Sequence, residues 1–134
     1  MSIVRKVELD WANLDFSYRK TDKRFIALFD GEKWDDGQLT EDNYIRIHEG
    51  STAIHYGQEC FEGLKAYTAK DGRTLLFRPN ENAKRMIRSA EAIEMQPVPV
   101  ELFLKGVKEV VQKNIQYVPP YGFGASFYLR PYLI

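Results

Sequence analysis

The sequence predicts an α+β domain in which two main helices pack on one side of a mostly antiparallel sheet. Three observations carry this. Residues 61–67 and 126–133 alternate with period two, the signature of strands with one buried face. Residues 79–93 and 100–114 place apolar side chains at helical spacing. The order is strands, then two helices, then a strand.

Taken in order, residues 1–23 are mixed and polar, with Trp11, Leu14 and Phe16 as anchors. Phe25 to Phe29 reads as a strand, and Asp30-Gly31 is a hairpin turn signal that returns the chain through Trp34. Ile45 and Ile47 suggest a short strand before the irregular Gly50-Ser51-Thr52 stretch. Phe61 to Thr68 and Arg73 to Phe77 form a second hairpin around Lys70-Asp71-Gly72. Pro79 and Asn80 open the first helix, with Asn80 as its N-cap and Ala83, Met86, Ile87, Ala90 and Ile93 as its buried stripe. Pro97 and Pro99 end it. The second helix starts near Val100 and sets Phe103, Val107, Val110, Val111 and Asn114 along one face. The turn-rich run from Pro119 to Gly124 leads into the final strand. Its apolar end at Leu133 and Ile134 has no turn, cap or polar tail after it, so the chain reads as part of a larger protein.

A chain of 134 residues suits one domain, spanning 1–134, that buries about two-thirds of its unfolded surface. Nineteen basic and nineteen acidic residues argue against a bulk electrostatic binder of nucleic acid or membrane. Cys60 is the single cysteine, which excludes an internal disulfide and fits a reducing compartment. Met1-Ser2-Ile3-Val4-Arg5-Lys6 lacks the apolar run of a signal peptide, and no stretch approaches a membrane span in length. A soluble cytoplasmic protein is expected. His48 and His55 have no metal-ligand spacing to each other or to Cys60, and Glu49, Glu59 and Glu62 form no zinc or calcium pattern, so no metal is expected. No serine has a nucleophile-elbow context and no glycine run resembles a phosphate loop.

Three groupings could carry chemistry. On the last strand Ser126, Tyr128, Arg130 and Tyr132 share a face, which sets two phenols and a guanidinium along one rib where a small anion can be gripped. On the strand after Cys60, Gly63 shares a face with Phe61, Lys65 and Tyr67 and lets something approach the backbone closely. Periodicity alone favours a plainer reading of that strand, a hairpin arm with a snorkelling lysine. The first helix carries Lys84, Arg85 and Arg88 near its start, with Glu81 spaced to meet Arg85 on a solvated face. The other use of Arg85 is to face an anion, aided by the positive end of the helix.

The run Ile54-His55-Tyr56-Gly57-Gln58-Glu59-Cys60-Phe61-Glu62-Gly63-Leu64-Lys65-Ala66-Tyr67 resembles the N-terminal domain of branched-chain amino acid aminotransferases. Phe77-Arg78-Pro79-Asn80-Glu81-Asn82-Ala83-Lys84-Arg85-Met86 and Ser126-Phe127-Tyr128-Leu129-Arg130-Pro131 agree in order and spacing. Asp10-Trp11 and Asp30-Gly31-x-x-Trp34 fit as well, so the resemblance covers nearly the whole chain.

The resemblance implies a fold-type IV pyridoxal-phosphate enzyme, a homodimer whose cofactor lies between a small N-terminal and a larger C-terminal domain. It implies transfer of an amino group from leucine, isoleucine or valine to 2-oxoglutarate, in branched-chain amino acid biosynthesis. Arg85 would bind the cofactor phosphate, and Phe61, Tyr128 and Arg130 would line the substrate pocket, with Lys65 beside them. Tyr56 would serve the pocket of the neighbouring subunit. The family's catalytic lysine belongs to the second domain, and no lysine here matches its motif. The chain therefore holds no catalytic residue and is expected to be inactive without that C-terminal domain. D-amino acid aminotransferases and aminodeoxychorismate lyases share the architecture; a non-catalytic dimerisation or interaction module is the reading from a different class.

Overall fold

The computed structural model describes residues 4–134. Met1, Ser2 and Ile3, part of the segment read as free of a leader, lie outside the described residues. The class is α+β, as the sequence predicts, but among the described residues the strands form three small antiparallel sheets rather than one. β1 (Arg24–Ile26) pairs with β2 (Gln38–Thr40), and the turn at Asp30-Gly31 is closed by a bridge between Phe29 and Trp34. β4 (Leu64–Thr68) is central, flanked by β5 (Thr74–Leu76) and β6 (Phe127–Leu129). β3 (Cys60–Phe61) pairs with β7 (Tyr132–Leu133).

Each of the two long strands expected from alternation is thus divided, yet the register runs unbroken. Phe61 faces Tyr132 and Leu64 faces Leu129, which sets Glu62 across from Pro131 and Gly63 across from Arg130. The Glu62 amide donates to the Pro131 carbonyl at 2.8 Å. Proline has no N–H with which to return the bond, and the ladder opens there. The alternation itself holds: Glu62, Leu64 and Ala66 are buried, while Phe61, Lys65 and Tyr67 are exposed.

Two expected elements differ. Ile45 and Ile47 are not a strand; they lie 47% and 43% exposed in irregular backbone, and a short helix α1 (Thr52–Tyr56) follows, capped by Ser51. Two alternate isoleucines have no neighbour to pair with here, so propensity alone does not make a strand. Helix α2 (Pro79–Ala92) has Arg78, not Asn80, as its N-cap. Pro79 is itself pre-set for the first helical turn. The residue before a proline is kept out of the right-handed helical region, and Arg78 adopts φ 47°, ψ 49°.

Helix α3 (Val100–Lys113) packs beside α2. The core joins Leu64, Ala66 and Leu129 from the sheet with Ala83 and Met86 from α2 and Phe103, Val107 and Val111 from α3. Ile87 and Val110, expected in these stripes, are half-buried at the margin. Both helices therefore cover one face of β4 and β6 and leave the opposite face to other groups. Asn114, fully buried after α3, accepts from the Lys23 amide at 3.0 Å and donates to the Lys23 carbonyl at 2.7 Å, tying the helix end to β1.

The Phe25 ring is wedged between two glycines. A Cβ at Gly106 would stand 2.8 Å from the ring, and one at Gly37 would stand 2.1 Å from it. Gly106→Ala gains about 1 kcal/mol of helix propensity, while overpacking costs about 1–3 kcal/mol. We expect a lowered melting temperature in a thermal scan; an unchanged or raised value would mean that the ring swings aside freely.

Candidate ligand face and anion cleft

The face of β4 and β6 turned away from the helices gathers four side chains. Lys65 and Tyr128 are register partners across the two strands. The Tyr128 phenol lies across the backbone of Gly63, where an added Cβ would be 2.4 Å from its hydroxyl oxygen. Gly63 is thus the open position that the alternation implied, and Tyr128 is what approaches it. The Arg130 Nε donates to the Tyr128 hydroxyl at 3.2 Å. Its guanidinium carbon is 4.4 Å from the Phe61 ring centre and 5.1 Å from that of Tyr128, so the cation rests against two aromatic rings. Phe16 adds an edge-on ring, 5.2 Å from Tyr128.

Phe61, Tyr128 and Arg130 are therefore brought together, and Lys65 projects, exposed, from the same face. Tyr56 is not joined to them. It stands 84% exposed on α1, its ring tilted against His55. Phe16 is the member that sequence reasoning missed as a site residue. It lies in irregular backbone, where no periodicity assigns it a side.

Behind this face lies a second grouping. Glu62, on the opposite side of the strand from Phe61 and Gly63, is 3% exposed. Its carboxylate accepts from Arg85 Nε at 2.6 Å and Nη2 at 2.7 Å, and from Asn82 Nδ2 at 3.1 Å. Burial by itself pushes this carboxyl up. The hydrogen bonds from Arg85 and Asn82, with the guanidinium charge, outweigh it and hold Glu62 below the usual carboxylate range. The expected Glu81–Arg85 pair is absent; Glu81 meets Lys84 at 3.0 Å instead. A buried carboxylate without a cation is costly, whereas an exposed helix pair is worth a few tenths of a kcal/mol, about 0.2–0.5.

Arg85 keeps an open side. With Phe77, Arg78, Glu81, Asn82 and Arg88 it lines a shallow cleft of about 280 Å³ at the start of α2. Glu62 takes the Nε edge of the guanidinium, which leaves Nη1 and one Nη2 hydrogen for another acceptor. Three guanidinium groups lining one cleft suit a phosphate, whose oxygens accept paired N–H bonds. Cleft and ligand face touch through one residue: Asn82 also donates to the Gly63 carbonyl at 3.3 Å, behind the backbone that Tyr128 covers. Among the described residues no group of three or more His, Cys, Asp or Glu could hold a metal ion, and no helix is long and apolar enough to cross a membrane.

No family model matches the chain. Among curated proteins, it is 60% identical over 127 residues to the branched-chain-amino-acid aminotransferase of Haemophilus influenzae, covering 95% of this chain and 37% of that protein. It is 53% identical over 126 residues to the Helicobacter pylori enzyme of the same name, covering 94% and 37%. Among solved structures, a branched-chain amino acid aminotransferase complexed with N-(5'-phosphopyridoxyl)-L-glutamate superposes with a TM-score of 0.58 at 33% identity, covering 72% of this chain and 30% of that one. The Thermoproteus uzoniensis branched-chain aminotransferase with norvaline gives 0.58 at 27% identity, covering 82% and 32%. The chain spans little more than a third of the length of the curated relatives it matches.

Proposed function

We infer, for a chain homologous to branched-chain amino acid aminotransferases over about a third of their length, that it forms the substrate face and phosphate cleft of such an enzyme. The whole enzyme moves an amino group from leucine, isoleucine or valine to 2-oxoglutarate. The observation that carries this reading is the Phe61–Tyr128–Arg130 cluster backed, through Gly63 and Asn82, by the arginine cleft.

The roles follow from what each group offers. Arg85, with its free guanidinium edge, takes the phosphate of pyridoxal phosphate. Arg78 and Arg88 add charge to the cleft. Phe61 and Phe16 supply apolar wall for a branched side chain. The Tyr128 hydroxyl is placed to hold the α-carboxylate. Arg130, whose Nε is engaged by Tyr128, keeps its Nη groups for the second carboxylate of glutamate or 2-oxoglutarate. Lys65 adds positive charge beside them, and the exposed Tyr56 serves the neighbouring subunit of a homodimer. The bound cofactor supplies the electron sink that makes the α-proton removable. No lysine among these residues matches the family's catalytic one, so the chain alone does not transaminate. A cytoplasmic setting and a biosynthetic role complete the reading.

Gly63→Ala gives one check on the geometry. Its Cβ displaces the Tyr128 hydroxyl, which would hold the carboxylate common to every substrate. In the complete enzyme the KM values for leucine and glutamate should both rise, by about 10-fold. A rise for glutamate alone would detach Tyr128 from the α-carboxylate. The function as a whole is tested with a substrate panel on the complete enzyme: L-leucine is the expected donor, and preference for D-alanine or for aminodeoxychorismate would replace it with another activity of the same architecture.

A further inference from the structure

We propose that Glu62 is the positioning residue for Arg85, the group that fixes which edge of the guanidinium faces the cleft. This rests on the reading of Arg85 as the phosphate arginine and adds a residue to it. Strand alternation places position 62 with Leu64 and Ala66, where an apolar side chain would serve packing better than a carboxylate. The carboxylate is buried, while the Arg85 side chain is 59% exposed. The pair is therefore anchored from the inside, and the guanidinium projects from that anchor into the cleft. Two parallel bonds at 2.6 and 2.7 Å fix the plane of the guanidinium as a single bond could not. Asn82 holds the carboxylate in turn, and its second bond ties it to the Gly63 carbonyl.

The carboxylate lowers the local positive charge, so its contribution is orientation rather than attraction. With Nε and one Nη2 hydrogen committed, the remaining edge is the one that can take two phosphate oxygens. Arg78 and Arg88 keep the cleft positive. A glutamine at position 62 would turn an N–H₂ toward one of the two guanidinium donors. Two donors cannot share a bond, and the guanidinium must rotate out of plane.

The test uses the complete apoenzyme titrated with pyridoxal phosphate and, separately, with pyridoxal, which lacks the phosphate, followed by cofactor fluorescence. Glu62→Gln is expected to weaken pyridoxal phosphate about 10-fold and leave pyridoxal unchanged. Added to Arg85→Ala it should weaken the phosphate form no further. Equal weakening of both ligands would mean a purely structural role and overturn the proposal, as would wild-type affinity for both. If Arg85→Ala itself binds pyridoxal phosphate normally, the reading of the phosphate arginine fails, a separate and recognisable result. Should Glu62→Gln not fold, Asn82→Ala decides, since it keeps both charges and removes the bond that orients the carboxylate together with the weaker one to the Gly63 carbonyl, which would affect both ligands alike. Its phosphate-specific loss should be about 2–5-fold, and no loss would count against Glu62.

Discussion

Arg85→Ala in the complete enzyme is expected to raise the dissociation constant for pyridoxal phosphate by about 100-fold or more. Two charge-assisted bonds from one guanidinium edge to phosphate oxygens contribute about 1.5–3 kcal/mol each when shielded from water. The same change leaves Glu62 buried without its cation, so part of the loss should appear as lowered stability. The two effects separate with pH. Glu62 titrates below its ordinary range because of Arg85 and Asn82, so its stabilising contribution is present above the unfolded carboxyl pKa. It is lost as pH falls through the depressed folded value. Without Arg85 burial dominates and lifts the folded carboxyl above its unfolded value, so the variant should fall furthest below wild type near neutral pH and the gap should narrow as pH falls and Glu62 takes a proton. Equilibrium titration of the apoenzyme, paired with acid denaturation, reads both. Unaltered cofactor affinity would remove Arg85 from the phosphate site.

Arg130→Ala is expected to slow turnover of glutamate about 10–100-fold more than turnover of leucine. On the proposed function the pocket would admit both a branched aliphatic chain and a second carboxylate, and Arg130 would distinguish them. Its guanidinium lies against the Phe61 and Tyr128 rings, so it presents an apolar flank to one substrate and N–H donors to the other. Because Arg130 also bonds the Tyr128 hydroxyl, a smaller loss for leucine is expected too. Comparing kcat/KM for both substrates decides the matter, and equal losses would show that Arg130 serves only the carboxylate common to both.

The parts of the fold legible in the sequence were those fixed by local periodicity. The two helices and the alternation at 61–67 and 126–133 follow from it, and with them the shared face of Phe61, Tyr128 and Arg130. The open position at Gly63 was legible as well, because a glycine on a strand face signals close approach. What escaped was decided between segments. Glu81 is spaced for Arg85 on the helix, but a buried carboxylate 23 residues earlier outcompetes it. Asn80 is a good cap by type, and loses the position because Pro79 already occupies the first helical turn. Ile45 and Ile47 lack a partner strand. Phe16 reaches Tyr128 from irregular backbone, where only tertiary structure says which way it turns.

The role proposed for this chain's face and cleft is amino transfer from a branched L-amino acid. The most direct measurement adds L-leucine alone to the complete protein loaded with pyridoxal phosphate and follows the cofactor's visible absorption. The absorption is expected to be lost in a single turnover and to return when 2-oxoglutarate is added. A cofactor spectrum that ignores L-leucine, or that responds to D-alanine in its place, would contradict it.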